Sequence, residues 1–156
     1  MPPITDIESL ERYLRGGIPL ARVMDIRVAD YDGARLALSA PLAPNVNDKG
    51  CAFGGSLVST LTLAAWGLVN LKLGEADLAA EVYVADTEIS YLAPVYGEFV
   101  AEAAIAPEQS WDEFIATLRK FGKARTELVA EISAIDGGGI AARAKARFVA
   151  KRGTGE

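Results

Sequence analysis

A chain of 156 residues is expected to form one domain, spanning 1–156, with a substantial buried core. Its 16 Lys plus Arg against 21 Asp plus Glu give a net charge of -5, which opposes general affinity for nucleic-acid phosphates. With no histidine and one cysteine, it lacks the means for Ser-His-Asp or Cys-His catalysis, HExxH zinc sites, histidine acid–base chemistry and an internal disulfide.

The N-terminus MPPITDIESL has neither the basic nor the apolar region of a signal peptide, so a cytoplasmic location is expected. Residues 5 to 15 read as a short helix capped by Thr5 or Asp6, with Ile7, Leu10 and Leu14 on one side and Gly16-Gly17 as its stop. Two β-rich runs follow, Ala21 to Ala29 and Ala34 to Ala40, and the Asp32-Gly33 pair between them predicts a hairpin.

The stretch from Asn45 to Leu57 then gathers amides, a carboxylate and three glycines directly before the most apolar segment of the chain. Ser56 to Leu73 predicts a helix that is apolar on nearly every face and enclosed by the rest of the domain. Ser56, Ser59, Thr60, Thr62, Asn70 and Lys72 make it too polar for a membrane span. The unpaired N–H groups of a helix start, approached closely where no Cβ intervenes, suit Gly54 and Gly55 to an oxyanion-binding role. The alternative is that two glycines let the helix start pass close to another backbone.

Beyond the helix, Leu78 to Val95 predicts a long strand ended by Pro94, and Phe99 to Ile105 another. Between Pro107 and Gly122 the pattern is helical, with a Ser110/Glu113 capping box and a stripe of Trp111, Phe114, Ile115, Leu118 and Phe121 that should dock on the body and line or lid the pocket. Two last strands, about Ala124 to Ile135 and Ile140 to Ala150, flank the turn Asp136-Gly137-Gly138-Gly139. No Walker loop, GxGxxG, repeat or low-complexity segment occurs. The α+β fold expected is an antiparallel sheet of about six strands wrapped around a long central helix, a hot-dog fold, with an N-terminal and an inserted helix.

Here the residues also carry a resemblance. Asn47-x-x-Gly50-x-x-Phe53-Gly54-Gly55 resembles the NxxGxxHGG motif of hot-dog thioesterases, and Ile89 to Glu98 (ISYLAPVYGE) resembles their third-strand signature. The segments 40–45 (APLAPN), 47–50 (NDKG), 53–57 (FGGSL) and 122–125 (GKAR) are similar to the thioesterase-like domains at the C-terminal end of some acetyltransferases, the YiiD C-terminal type. That resemblance covers residues 18 to 150. It implies a hydrolase of fatty acid metabolism that acts on acyl-coenzyme A or acyl carrier protein. It further implies a homodimer or homotetramer with sites between protomers; neither cofactor nor metal is expected.

The sequence departs from the motif where chemistry matters. Phe53 stands at the histidine position and Thr62 nine residues on, where the family often has the acid that activates water. Asp48 is then the candidate base, with Asn47 orienting water or carbonyl; the alternative makes Asp48 a turn residue that satisfies loop amides. Phe53, Gly54, Ser56 and Ser59 are candidate substrate contacts and Gly55 and Thr62 candidate catalytic groups, although Ser59 suits a back-bond to its own helix. Cys51, just before the helix, invites an acyl-cysteine reading that lacks a histidine base. Asp86 and Glu88 are reserve carboxylates. Arg143, Lys145, Arg147 and Lys151 put positive charge on one face of the last strand, either as solvated surface or as a contact for coenzyme A phosphates or an acidic carrier protein.

Overall fold

The computed structural model describes residues 3–134 and 137–153. Helix α1 (Ile7–Gly17) starts at Asp6, whose carboxylate accepts from the Ser9 amide at 2.8 Å while the Ser9 hydroxyl accepts from the Asp6 amide at 3.0 Å. Those bonds hold the Asp6 carboxyl below its ordinary range. The second element corrects the sequence reading. Ala21 to Ala29 is not one strand: Pro19–Val23 forms a short helix, α2, and strand β1 is Arg27–Tyr31. Pro19 opens α2 with its φ preset, and Ala21 and Met24 are buried, a tertiary preference that overrides the β-leaning composition.

Strand β2 (Leu36–Ala40) pairs with β1, and the Asp32 carboxylate closes their turn by accepting from the Ala34 and Arg35 amides at 2.9 and 2.7 Å. A 3-10 turn at Ala43–Asn45 leads to the glycine-rich loop and to α3 (Gly54–Glu75). After it come β3 (Glu81–Tyr91), β4 (Phe99–Ile105), α4 (Trp111–Phe121), β5 (Lys123–Ser133) and β6 (Ile140–Lys151). β3 is shorter than expected, and Pro94 lies beyond it. Asp136 and Ile135, assigned to the last turn and strand, lie outside the described residues.

All six strands form one antiparallel sheet in the order β1-β2-β4-β5-β6-β3, so β1 and β3 are the edges. Alternating burial along most of β4, β5 and β6 turns Ala101, Leu128, Ile132, Ala144 and Phe148 toward α3. Small alanines along β6 let the sheet curl closely around the helix, which buries Leu57, Leu61, Leu68 and Leu71. This is the hot-dog arrangement. Although α3 is long and apolar enough to cross a membrane, 56% of its most apolar stretch is buried inside the domain.

The enclosure of α3 is incomplete. Gly55, Ser59, Thr62, Leu63, Trp66 and Asn70, which recur at the three-to-four-residue spacing of one helical face, are only half-buried. On α4, Phe114 and Leu118 are buried and Trp111 and Ile115 partly so, but Phe121 is 69% exposed beneath the Lys120 ammonium. Gly122, at φ 73°, terminates α4 by donating to the Leu118 carbonyl at 2.8 Å, the left-handed geometry that favours glycine. α4 packs on β5 and lines neither groove cavity beside the open stripe of α3.

Candidate functional site

The loop before α3 is built by its own amides. Val46 and Ala52 bridge as in a two-stranded ribbon. The Asn47 amide donates to the Cys51 carbonyl at 2.7 Å, and its Oδ1 accepts from the Lys49 and Cys51 amides at 2.8 and 3.2 Å. Its Nδ2 donates to Cys51 Sγ at 3.2 Å. Asn47 is thus the loop's internal brace, and Cys51 is buried against it. Asp48 points the other way: its side chain is 80% exposed and ion-paired with Lys49 at 3.0 Å.

One residue that sequence reasoning left without a role ties this loop to its surroundings. Asn45, 2% exposed, donates from Nδ2 to the carbonyls of Met24 (2.9 Å) and Pro41 (2.8 Å), and its own carbonyl accepts the Phe53 amide at 2.7 Å. The end of α2, the 3-10 turn and the residue capping α3 are therefore pinned to a single residue, the first two by its side chain and the third by its backbone carbonyl. The signal was present in the segment 40–45, where an asparagine following proline suits a bonded turn.

Phe53 caps α3 without a side-chain bond, and its carbonyl accepts the amides of Ser56 (2.9 Å) and Leu57 (3.0 Å). The N–H groups of Gly54 and Gly55 make no hydrogen bond among the described residues. These are the orphan donors of a helix start, held at the positive end of a 22-residue helix. The Phe53 ring, 57% exposed, lies over Gly55, so that a Cβ there would come within 2.5 Å of it. Tyr91, at the end of β3, donates its hydroxyl to the Gly54 carbonyl at 3.0 Å. The helix start is thus fixed from behind by Asn45, from the side by Tyr91 and overlain by Phe53.

One turn further on, Ser59 and Thr62 turn into a groove of about 280 Å³ walled by Ile18, Leu20, Met24 and Leu63. Neither hydroxyl has a hydrogen-bond partner among the described residues; Thr60 instead back-bonds, to the Ser56 carbonyl at 2.8 Å. The back-bond expected of Ser59 therefore belongs to its neighbour, which is fully buried where Ser59 is not. Ser56 is buried.

The reserve carboxylates are elsewhere. A bulge between Val84 and Asp86 sets Asp86 and Glu88 opposite Arg147 and Lys145, on the face of the sheet turned away from α3. Asp86 receives two bonds from Arg147 Nε at 3.0 and 2.9 Å and a third from Nη2; the guanidinium holds its carboxyl below the ordinary range. A base so depressed and misdirected has no access to the groove. Three of the four cations of β6 are matched in the same way: Arg143 to Glu131 at 3.6 Å, Lys145 to Glu127 at 3.8 Å, Arg147 to Asp86. Around these three the stripe is a solvated face of exchanged charges.

The chain matches the family model described as "Putative thioesterase (yiiD_Cterm)" over residues 7–152. It belongs to this family. Among solved structures, it is similar to a protein of unknown function from Chlorobaculum tepidum, with 31% identity, a TM-score of 0.88 and 94% of each chain covered. A protein described as the putative thioesterase from Shewanella oneidensis is 27% identical, with a TM-score of 0.84 over 93% of this chain and 96% of that one. A thioesterase from Haemophilus influenzae, 12% identical with a TM-score of 0.72 over 96% and 92% of the two chains, shares the fold. The fold and the thioesterase family are thus common to sequence and structure.

Proposed function

We propose that this chain hydrolyses acyl thioesters carried on coenzyme A or acyl carrier protein. The observation that carries the proposal is the pair of unpaired N–H groups at Gly54 and Gly55, at the head of a half-open helix stripe that runs on into an apolar groove. Such donors are suited to the negative charge that develops on a thioester oxygen. Water attacks the carbonyl carbon, Asp48 takes its proton, the oxyanion rests on the two glycine amides, and the carbon–sulfur bond breaks as the leaving sulfur gains a proton. Asn47 holds the loop in register, and the Ser59 and Thr62 hydroxyls orient water or the acyl carbonyl.

Asp48 is assigned the base because the groove between Gly55 and Trp66 has no carboxylate in its walls and the reserves on β3 face the other way. The same facts favour a second reading, a module that binds acyl groups without turnover. A panel of acyl-coenzyme A and acyl carrier protein substrates separates the two. Turnover that Asp48→Asn abolishes supports the hydrolase; tight acyl binding with no turnover in the native protein supports the binding module.

The active form in this proposal is a homodimer or a pair of such dimers. Strand β3 is an unpaired edge with Tyr83, Val84 and Tyr91 exposed along it, and pairing with the same edge of a second copy would continue the sheet. Antiparallel pairing about the middle of β3 would bring the Asp48 loop of one copy toward the groove of the other. Sedimentation at micromolar concentration tests this; a monomer alone would exclude it.

A further inference from the structure

The open stripe of α3 borders three cavities in succession. The first, beside Val58 and Ser59, is about 280 Å³; the second, about 380 Å³, shares Ile18, Thr62 and Leu63 with it and continues the same groove. The second ends on Tyr13 and Trp66. A third, of about 470 Å³, begins on those same two side chains and runs past Asn70, Leu73 and Gly74.

Trp66 stands across this path. Its indole Nε1 donates to the Val82 carbonyl at 3.1 Å, which ties α3 to β3. On the other side the Tyr13 ring of α1 packs on it with centroids 5.6 Å apart and planes inclined at 49°. A partition of two rings and one hydrogen bond therefore reaches from α1 over α3 to β3. Walls before it are apolar except for the unpartnered hydroxyls of Ser59 and Thr62.

A trough that begins one helical turn beyond the oxyanion donors, with largely apolar walls and an end at Tyr13 and Trp66, fits a linear acyl chain entering tail-first. We infer that Trp66, backed by Tyr13, is the ruler that sets acyl-chain length. This rests on the thioester reading above and supplies the substrate class within it. From Gly55 to Trp66 the helix rises about 16 Å at ~1.5 Å per residue. An extended chain of ~1.5 Å carbon–carbon bonds advances about 1.3 Å per bond, so the groove accepts about 12 carbons. The third cavity, continuing to Gly74, gives room for several more once the partition is removed.

Two measurements test this. In the first, kcat/KM is compared over acyl-coenzyme A chains of about 8, 12 and 16 carbons for the native protein and Trp66→Ala. The native protein should prefer the middle length, and the variant should gain at least tenfold for the longest relative to the middle one, the scale of a few methylenes gaining or losing a pocket. An unchanged length profile in a folded Trp66→Ala protein overturns the inference.

The second measurement keeps Trp66 in place and does not require the protein to turn over. In a Trp111→Phe background Trp66 is the only tryptophan, because the chain has two. Non-hydrolysable thioether analogues with bromine on the terminal carbon should quench its fluorescence most at about 12 carbons and least at about 8. Equal quenching at all lengths, or none, overturns the ruler. Length-dependent quenching without turnover of any thioester would support the ruler and sink the hydrolase reading alone.

Discussion

The two ends of α3 are finished in opposite ways. At the C-terminal end the Ala76 amide donates to the Lys72 carbonyl at 3.1 Å, Arg119 reaches from α4 to the Ala76 carbonyl at 2.9 Å, and Gly74 packs directly on the backbone of Ile4. At the N-terminal end, Gly54 and Gly55 have no capping side chain, no acceptor for their amides among the described residues, and the exposed ring of Phe53 lying over Gly55. Both ends use glycine, for different reasons. A Cβ at Gly74 would stand 2.4 Å from the Ile4 carbonyl oxygen, whereas at Gly55 it would meet the far end of a side chain. The closed end is a structural joint; the unsatisfied end is where polar capacity is kept in reserve for something outside the chain.

That contrast is sharpest under substitution. Asp48→Asn should lower turnover about a hundredfold while thermal stability and acyl binding hold, as expected for loss of a general base from a side chain that is exposed in the folded protein. An Asp48→Asn protein with native turnover would remove Asp48 from the mechanism. Gly74→Ala should do the reverse, costing about 1–3 kcal/mol in urea unfolding because backbone cannot retreat as a side chain can, with turnover per folded molecule unchanged.

Asn45→Ala tests whether the open end is actively held. Removing its Nδ2 leaves the carbonyls of Met24 and Pro41 without that donor, so about 1–3 kcal/mol should be lost, and turnover should fall with it as the turn whose backbone carbonyl holds the Phe53 amide loosens. Equal losses of stability in Asn45→Ala and Gly74→Ala with turnover spared in both would erase the distinction between the ends.

Gly55→Ala should unfold at nearly the same urea concentration as the native protein, since Phe53 can swing aside, yet slow turnover several-fold by crowding the amide donors. Cys51→Ala should have the smallest effect on turnover in this set. Its thiol accepts one bond from Asn47 and, in water attack, forms no bond to substrate. A folded but inactive Cys51→Ala protein would replace water attack with an acyl-cysteine route.

The chain's pattern alone carried most of the architecture. Alternation marked β4, β5 and β6, where one face is core and the other solvent. Asp6, Ser110 and Gly122 marked helix ends because caps are local hydrogen-bond problems that local residues solve. The glycine pair at 54–55 was legible as a site for the same reason: the orphan amides of a helix start follow from covalent geometry.

What the sequence left open depends on partners distant along the chain. Ala21 to Val23 reads as the start of a strand, and Pro19–Val23 becomes a helix only because Ala21 and Met24 meet the core. Asp86 and Glu88 look like reserve carboxylates until the bulge in β3 and pairing with β6 turn both to the outer face and give Asp86 a cation. The outward stripe of α3 is invisible in a segment apolar on nearly every face, because which face stays open is decided by where the sheet stops curling. Trp66 gains its place as a partition only through Val82 and Tyr13, contacts made across 16 and 53 residues of chain. Local physics determined which elements form and which amides are left over; the closure of the sheet around α3 decided which of those groups face a groove and which face water.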